Sequence, residues 1–112
     1  MRPFEGIRVL DFTHVSAGPF ATFQLAVMGA EVIKIEAPGK PDQIRLEGVD
    51  EALNEQGLGT SYVFNNQGKK AISLNLDSDE GHQIAVQLIE SADVLVENYP
   101  GTMERYGLGP KQ

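Results

Sequence analysis

The chain has 112 residues, enough for one domain and not for two, and 41% of them are hydrophobic, which suits a folded globule rather than a disordered segment. Sixteen acids against nine bases leave a formal charge of −7, which argues against a general nucleic-acid or anionic-membrane surface and confines any anion site to a few local bases and backbone N–H groups. There are no cysteines, so disulfides, thiolate metal sites and thiol nucleophiles are excluded as well.

Ile7 to Phe12 is a short apolar run rich in branched residues, and it predicts a buried strand over 7–12. A helix is expected over 19–29, with Pro19 in its first turn, where a missing N–H costs nothing, and Gly29 as its stop. Val32, Ile33 and Ile35 predict the next strand, over 32–35, and the crossover between the two strands is too long for a hairpin. From Glu36 to Thr60 the pattern dissolves. Ala37-Pro38-Gly39-Lys40-Pro41 cannot continue a regular element, so this stretch reads as a mobile connection with room for a short helix around Glu51 to Gln56.

Order returns at Tyr62, Val63 and Phe64, followed by the polar turn Asn65-Asn66-Gln67-Gly68 and an alternating strand over 71–76. Asp77, Ser78 and Asp79 are capping residues, and Ile84, Ala85, Leu88 and Ile89 recur at helical spacing, which predicts a helix over 79–91. A strand is expected over 94–97, then the turn "ENYPG", then a short helix capped by Thr102 and running through Arg105. Two strand-helix-strand units flanking a loop point to an α/β fold, a parallel sheet covered by helices. No apolar run reaches membrane-spanning length and no charged leader precedes the first strand, so the expectation is a soluble, cytoplasmic protein with no membrane and no nucleic-acid partner.

Three stretches carry candidate chemistry, each beside a plainer reading. In "THVSAGP" the N–H groups of Ser16, Ala17 and Gly18 would face an anion near a helix start, at the carboxyl end of a parallel strand where ligands bind. The plainer reading is an ordinary loop, since the dinucleotide fingerprint G-x-G-x-x-G is absent. In "NNQGKKAISLNL", Lys69 and Lys70 are either a solvated pair or a local basic spot for phosphate, with one of them facing solvent if the strand alternates. In "VENYPGTMERYG", Asn98, Tyr99 and Arg105 combine an amide, an aromatic ring and a guanidinium that could hold a nucleotide, or form a plain turn with a surface arginine. His14 and His82 lie in no metal-ligand spacing, with His82 expected on the solvated side of its helix. Ser16 has no triad partners, and Asp11, inside a strand, reads as structural. Residue types alone stop at an α/β domain with an anion pocket.

Taken together, "GIRVLD" with the following "GP", "GAEVIKIEAPG", "GKKAISLNL" and "ADVLVEN", in this order from about Pro3 to Gly109, resemble the N-terminal segment of the family III CoA-transferases, a group that extends to formyl-CoA transferase, carnitine-CoA transferases and α-methylacyl-CoA racemases. The resemblance implies a partial Rossmann-like domain over 1–112 that binds coenzyme A or acyl-CoA as a substrate, with no tightly bound cofactor and no metal. Carried over by position, the CoA contacts would be Ser16, Ala17, Leu74, Asn75, Asn98, Tyr99 and Arg105. Ala37 stands where some members have an arginine, Asp77 ("LNLD") where members often have lysine, and "ENYPG" is one residue shorter than the family's "ENFRPG"; the first two changes remove positive charge beside a polyphosphate.

In the family, an aspartate attacks the acyl-CoA thioester to give a mixed anhydride, the thiolate returns to form an aspartyl-CoA thioester, and a carboxylic acid then takes the CoA. No residue here matches that aspartate, so no catalytic residue is assigned and the chain by itself is expected to be inactive, as a fragment or a truncated gene product. Two other readings stay open: part of an acyl-CoA racemase, and a non-catalytic CoA-binding module. The family also implies acyl-CoA and carboxylic acid substrates and a homodimer of interlocked chains.

Overall fold

The computed structural model describes residues 1–110. Strand β1 (Arg8–Asp11) leads through a turn into helix α1 (Ala17–Val27), then β2 (Glu31–Glu36). A 3-10 turn (Gln43–Leu46) and helices α2 (Glu51–Glu55) and α3 (Thr60–Asn65) precede β3 (Lys70–Ser73), α4 (Asp79–Ser91), β4 (Val94–Val96) and α5 (Thr102–Arg105). The four strands form one sheet in the order β3-β2-β1-β4, parallel at every pairing. No helix among the described residues is long and apolar enough to cross a membrane.

The core follows from the two-residue period of the central strands. Leu10 and Phe12 pack with Ile35, Leu74, Ala85 and Met103 on the α4 side. Val9 and Val32 pack with Leu25 and Ala26 on the α1 side. β1 is buried on both faces, which is why its sequence is almost continuously apolar. The exception is Asp11, fully buried on the α1 side with Lys69 as its ion-pair partner. α4 begins where the sequence places it: the Ser78 hydroxyl accepts from the Gly81 N–H at 3.0 Å, and Asp79 and Glu80 occupy the first turn. Gly81 is required there, since a Cβ would collide with the Asn75 carbonyl.

Three expectations need correction. β3 ends at Ser73, not residue 76. Leu74 still donates its N–H to the Glu36 carbonyl at 2.9 Å, but β2 ends at Glu36 and the ladder has no further partner. The segment from 36 to 60 is not an unanchored connection. Glu36 receives both Arg45 Nε (2.9 Å) and Nη2 (2.7 Å), and Arg45 also stacks on the Tyr62 ring, 3.8 Å from its centre. Asp42, fully buried, accepts from Lys34 Nζ at 2.7 Å. His82 is not solvated: its Nε2 lies 2.7 Å from the Tyr106 carbonyl, joining α4 to the residue that follows α5.

Lys69 and Lys70 point in different directions and pair with different acids. Lys69 is almost wholly buried, donating to Asp11 Oδ2 at 2.8 Å, Asn66 Oδ1 at 2.7 Å and the Pro19 carbonyl at 3.0 Å. Lys70 is exposed and pairs with Glu31. Breaking a buried pair leaves a naked charge in the interior, so Lys69→Met should cost about 3–5 kcal/mol in urea unfolding, and Lys70→Met far less.

The same pair sets a pH dependence. Burial alone would raise the Asp11 pKa, but the Lys69 charge and the hydrogen bonds from Lys69, Thr13 and Thr22 outweigh it and hold the carboxyl below its ordinary range. A lowered folded pKa means that this stabilisation is complete above the ordinary Asp range and is lost as pH falls through the folded value. The stability gap between the parent and Lys69→Met should therefore narrow on acidification. A gap constant with pH in denaturant titrations would contradict this.

Candidate functional site

All four strands end on one cleft of about 400 Å³. Phe12 and His14 reach it from the end of β1, Glu36 and Ala37 from β2, Leu74 and Asn75 from β3, and Glu97 and Tyr99 from β4, with α5 closing one side. The carboxyl ends of parallel strands are where α/β sheets bind ligands, because the connecting loops diverge there and leave a crevice.

The cleft's floor is apolar, formed by Phe12, Ile35, Leu74 and Met103, all buried. Its back wall is the turn after β1. Here the Asn98 amide grips the His14 peptide from both sides: Nδ2 donates to the His14 carbonyl at 2.9 Å and Oδ1 accepts the His14 N–H at 3.2 Å. The next residue, Val15, has φ 72°, a left-handed conformation that a β-branched side chain rarely adopts. Its N–H donates to Asp42 Oδ1 at 3.0 Å. Gly18 lets α1 start hard against β1, since a Cβ there would collide with the Thr13 side chain. The turn is thus held by Asn98, just after β4, and by Asp42 from the segment after β2.

His14 stands in the cleft wall with its ring edge-on to Tyr99, the centroids 5.1 Å apart. Burial pushes the His14 pKa down, the nearby Asp42 charge opposes that, and the net shift keeps the imidazole neutral at pH 7. Burial likewise raises the Tyr99 phenol, so it stays protonated. Asn75 spends its side-chain oxygen on the Asp77 N–H (3.0 Å) and its carbonyl on the Ser78 hydroxyl (2.9 Å). On the opposite wall, the Arg105 guanidinium lies 5.2 Å from the centre of the Tyr106 ring, whose hydroxyl donates to Asp77 Oδ1 at 3.0 Å.

Of the residues singled out in the sequence, Leu74, Asn75, Tyr99 and Arg105 line this cleft. Ser16 and Ala17 are exposed at the start of α1 and are not among its lining residues. Asn98 does not line it either and supports it from behind through His14. Sequence reasoning did not foresee the cleft positions of His14 and Lys40. The "PG" before Lys40 was the available signal, a turn that folds the chain back toward the strand end.

Chemically, the cleft offers an apolar floor, an aromatic edge, a side-chain amide and two cations, Lys40 and Arg105. Its carboxylates are occupied or peripheral: Glu36 is held by Arg45, Asp77 accepts from Tyr106, and Glu97 accepts the Tyr99 N–H at 2.8 Å. This set suits binding of an amphipathic anion and presents no activated nucleophile. Asn98→Ala would release the His14 peptide and let its ring leave the wall. The His14 pKa should then rise toward its ordinary 6.5, as followed by an NMR pH titration of the imidazole. An unchanged titration would mean that the ring is held without Asn98.

Comparison with known proteins bears on this geometry. Over 110 residues the chain is 44% identical to the human succinyl-CoA:glutarate CoA-transferase, covering 97% of this chain and 24% of that protein. It is 44% identical over 106 residues to the acetyl-CoA:oxalate CoA-transferase of Acetobacter aceti, covering 94% of this chain and 26% of that protein. The crystal structure of Rv3272 from Mycobacterium tuberculosis superposes with a TM-score of 0.82 at 42% identity, covering 99% of this chain and 29% of that one. A CAIB/BAIF family protein from Brucella suis gives a TM-score of 0.82 at 27% identity, covering 98% of this chain and 29% of that one. The chain thus spans about a quarter of the length of the curated relatives it matches. The model of CoA-transferase family III matches residues 4–112, nearly the whole chain, and the parallel sheet is that of the family's solved structures: the chain belongs to CoA-transferase family III.

Proposed function

We propose that this chain is the N-terminal, CoA-binding portion of a CoA-transferase, and that the cleft at the strand ends receives the nucleotide end of coenzyme A. The observation that carries this reading is the convergence of Leu74, Asn75, Tyr99 and Arg105, from two separate stretches of sequence, on one cleft with an apolar floor and two cations. A purine needs a flat apolar or aromatic surface and an amide, and its phosphates need positive charge; the cleft offers each.

The relatives named as transferring CoA between acyl-CoA and carboxylic acids such as glutarate and oxalate support a reaction of that class. The chemistry would be covalent catalysis by an aspartate lying outside these 112 residues. Within the chain, the residues' work is to bind and orient. Arg105 meets phosphate, Asn75 and the Tyr99 ring flank the base, and neutral His14 with Asn98 keeps the turn after β1 in shape. A homodimer and a cytoplasmic location belong to the same proposal.

Calorimetric titration of CoA into the chain tests it. Arg105 is exposed at the rim, so Arg105→Ala should weaken binding about tenfold, the low end of the 1.5–3 kcal/mol a charge-assisted hydrogen bond contributes. Equal affinity in the two proteins would mean that the nucleotide lies elsewhere. With acyl-CoA and a free carboxylic acid present, mass spectrometry should find no acyl exchange above background by this chain alone. Clear turnover would place a nucleophile within these residues.

A further inference from the structure

Ala37-Pro38-Gly39-Lys40 is a tight turn at the end of β2. The Lys40 N–H donates to the Ala37 carbonyl at 3.1 Å and Gly39 has φ +74°, so Pro and Gly occupy the two central positions that a type II turn favours for them. The turn is clamped at both ends. Before it, the Glu36 carboxylate is held by Arg45 and accepts the Asp42 N–H at 2.6 Å. After it, buried Asp42 takes Lys34 Nζ, the Val15 N–H and the Ile44 N–H. A turn fixed this way has little freedom to swing, and it places Lys40 on the cleft.

Lys40 also differs from most of the basic residues of the chain. Arg2, Arg8, Lys34, Arg45, Lys69 and Lys70 each have an acid within ion-pairing distance. Lys40 has none among the described residues. It rises from the turn after β2, whereas Arg105 rises from α5, whose Met103 packs with Ile35 and Leu74. Both cations line the same cleft. In a chain of net charge −7, a polyanion gains entry only where such unspent charge is concentrated.

We propose that Lys40 is a ligand-binding residue of the cleft, meeting a phosphate group of the ligand as a second cation beside Arg105. This rests on reading the cleft as the CoA site. An ammonium on a flexible stem is a mobile point charge that can follow a phosphate, whereas the Arg105 guanidinium supplies a planar fork, so the two recognise different faces of a polyphosphate.

The test is titration of CoA into the parent chain, Lys40→Gln and Lys40→Arg at low and at raised salt. Lys40→Gln should bind about fivefold more weakly, the discount for an exposed site included, and its affinity should fall less steeply with salt. Lys40→Arg keeps the charge and should stay close to the parent. Lys40→Gln binding as tightly as the parent would overturn the proposal. So would an equal loss in both variants, since that would assign the effect to the turn's shape and not to charge. A parent chain that fails to bind CoA would instead bring down the reading of the cleft, and this assignment with it.

Discussion

The ion pair between Asp11 and Lys69, buried at the end of the central strand, is the constraint on which the rest of the structure depends. A carboxylate in the interior has to be neutralised and hydrogen-bonded, and Asp11 is both: Lys69 supplies the charge, and the Thr13 N–H and the Thr22 hydroxyl supply further donors at 2.8 Å and 2.6 Å. Through these contacts Asp11 ties together β1, the turn that follows it, helix α1 and the start of β3. From Thr13 the network continues, because its carbonyl accepts from Lys34 Nζ at 3.1 Å, which in turn holds Asp42. Asp42 donates its N–H to Glu36, and Glu36 holds Arg45. Three acids and three bases thus balance across the carboxyl ends of β1 and β2.

Placed there, the network is a foundation for the cleft. The apolar face of the sheet toward α4 supplies the cleft's floor, while the ionic face toward α1 fixes the two loops that rise beside it. Val15 illustrates the consequence. A β-branched residue in a left-handed conformation costs of order 1–3 kcal/mol and persists only where its surroundings hold it. Asp42 on its N–H, with Asn98 on the preceding peptide, does so. The preceding residue, His14, sets its ring beside Tyr99 in the wall.

The charge arrangement also explains how an acidic chain can receive an anionic ligand. Most of its cations are consumed internally or on the surface by ion pairs, so they contribute little field to the cleft. Among the described residues, what the cleft has is local, Lys40 and Arg105 in its lining. On the proposed reading, recognition would depend on a few placed charges and an apolar floor, not on a broad positive surface.

The sequence by itself determined the parallel α/β layout. Hydrophobic period, the Ser78 cap and the Gly-Pro helix start are local properties, and local properties are written in consecutive residues. It also singled out Leu74, Asn75, Tyr99 and Arg105, and the family resemblance pointed to the ligand class. Tertiary structure alone decided which polar groups meet. Asp11 and Lys69 are 58 residues apart, and His14 and Asn98 are 84 apart, so no pattern along the chain relates them. The order in the segment after β2 was invisible for the same reason: the ion pairs Lys34–Asp42 and Arg45–Glu36 and the stacking of Arg45 on Tyr62 hold it, where a periodic apolar face would have been legible. Lys69 and Lys70 read alike as neighbours, and only the tertiary packing at the start of β3 sent one inward to a carboxylate and left the other in water.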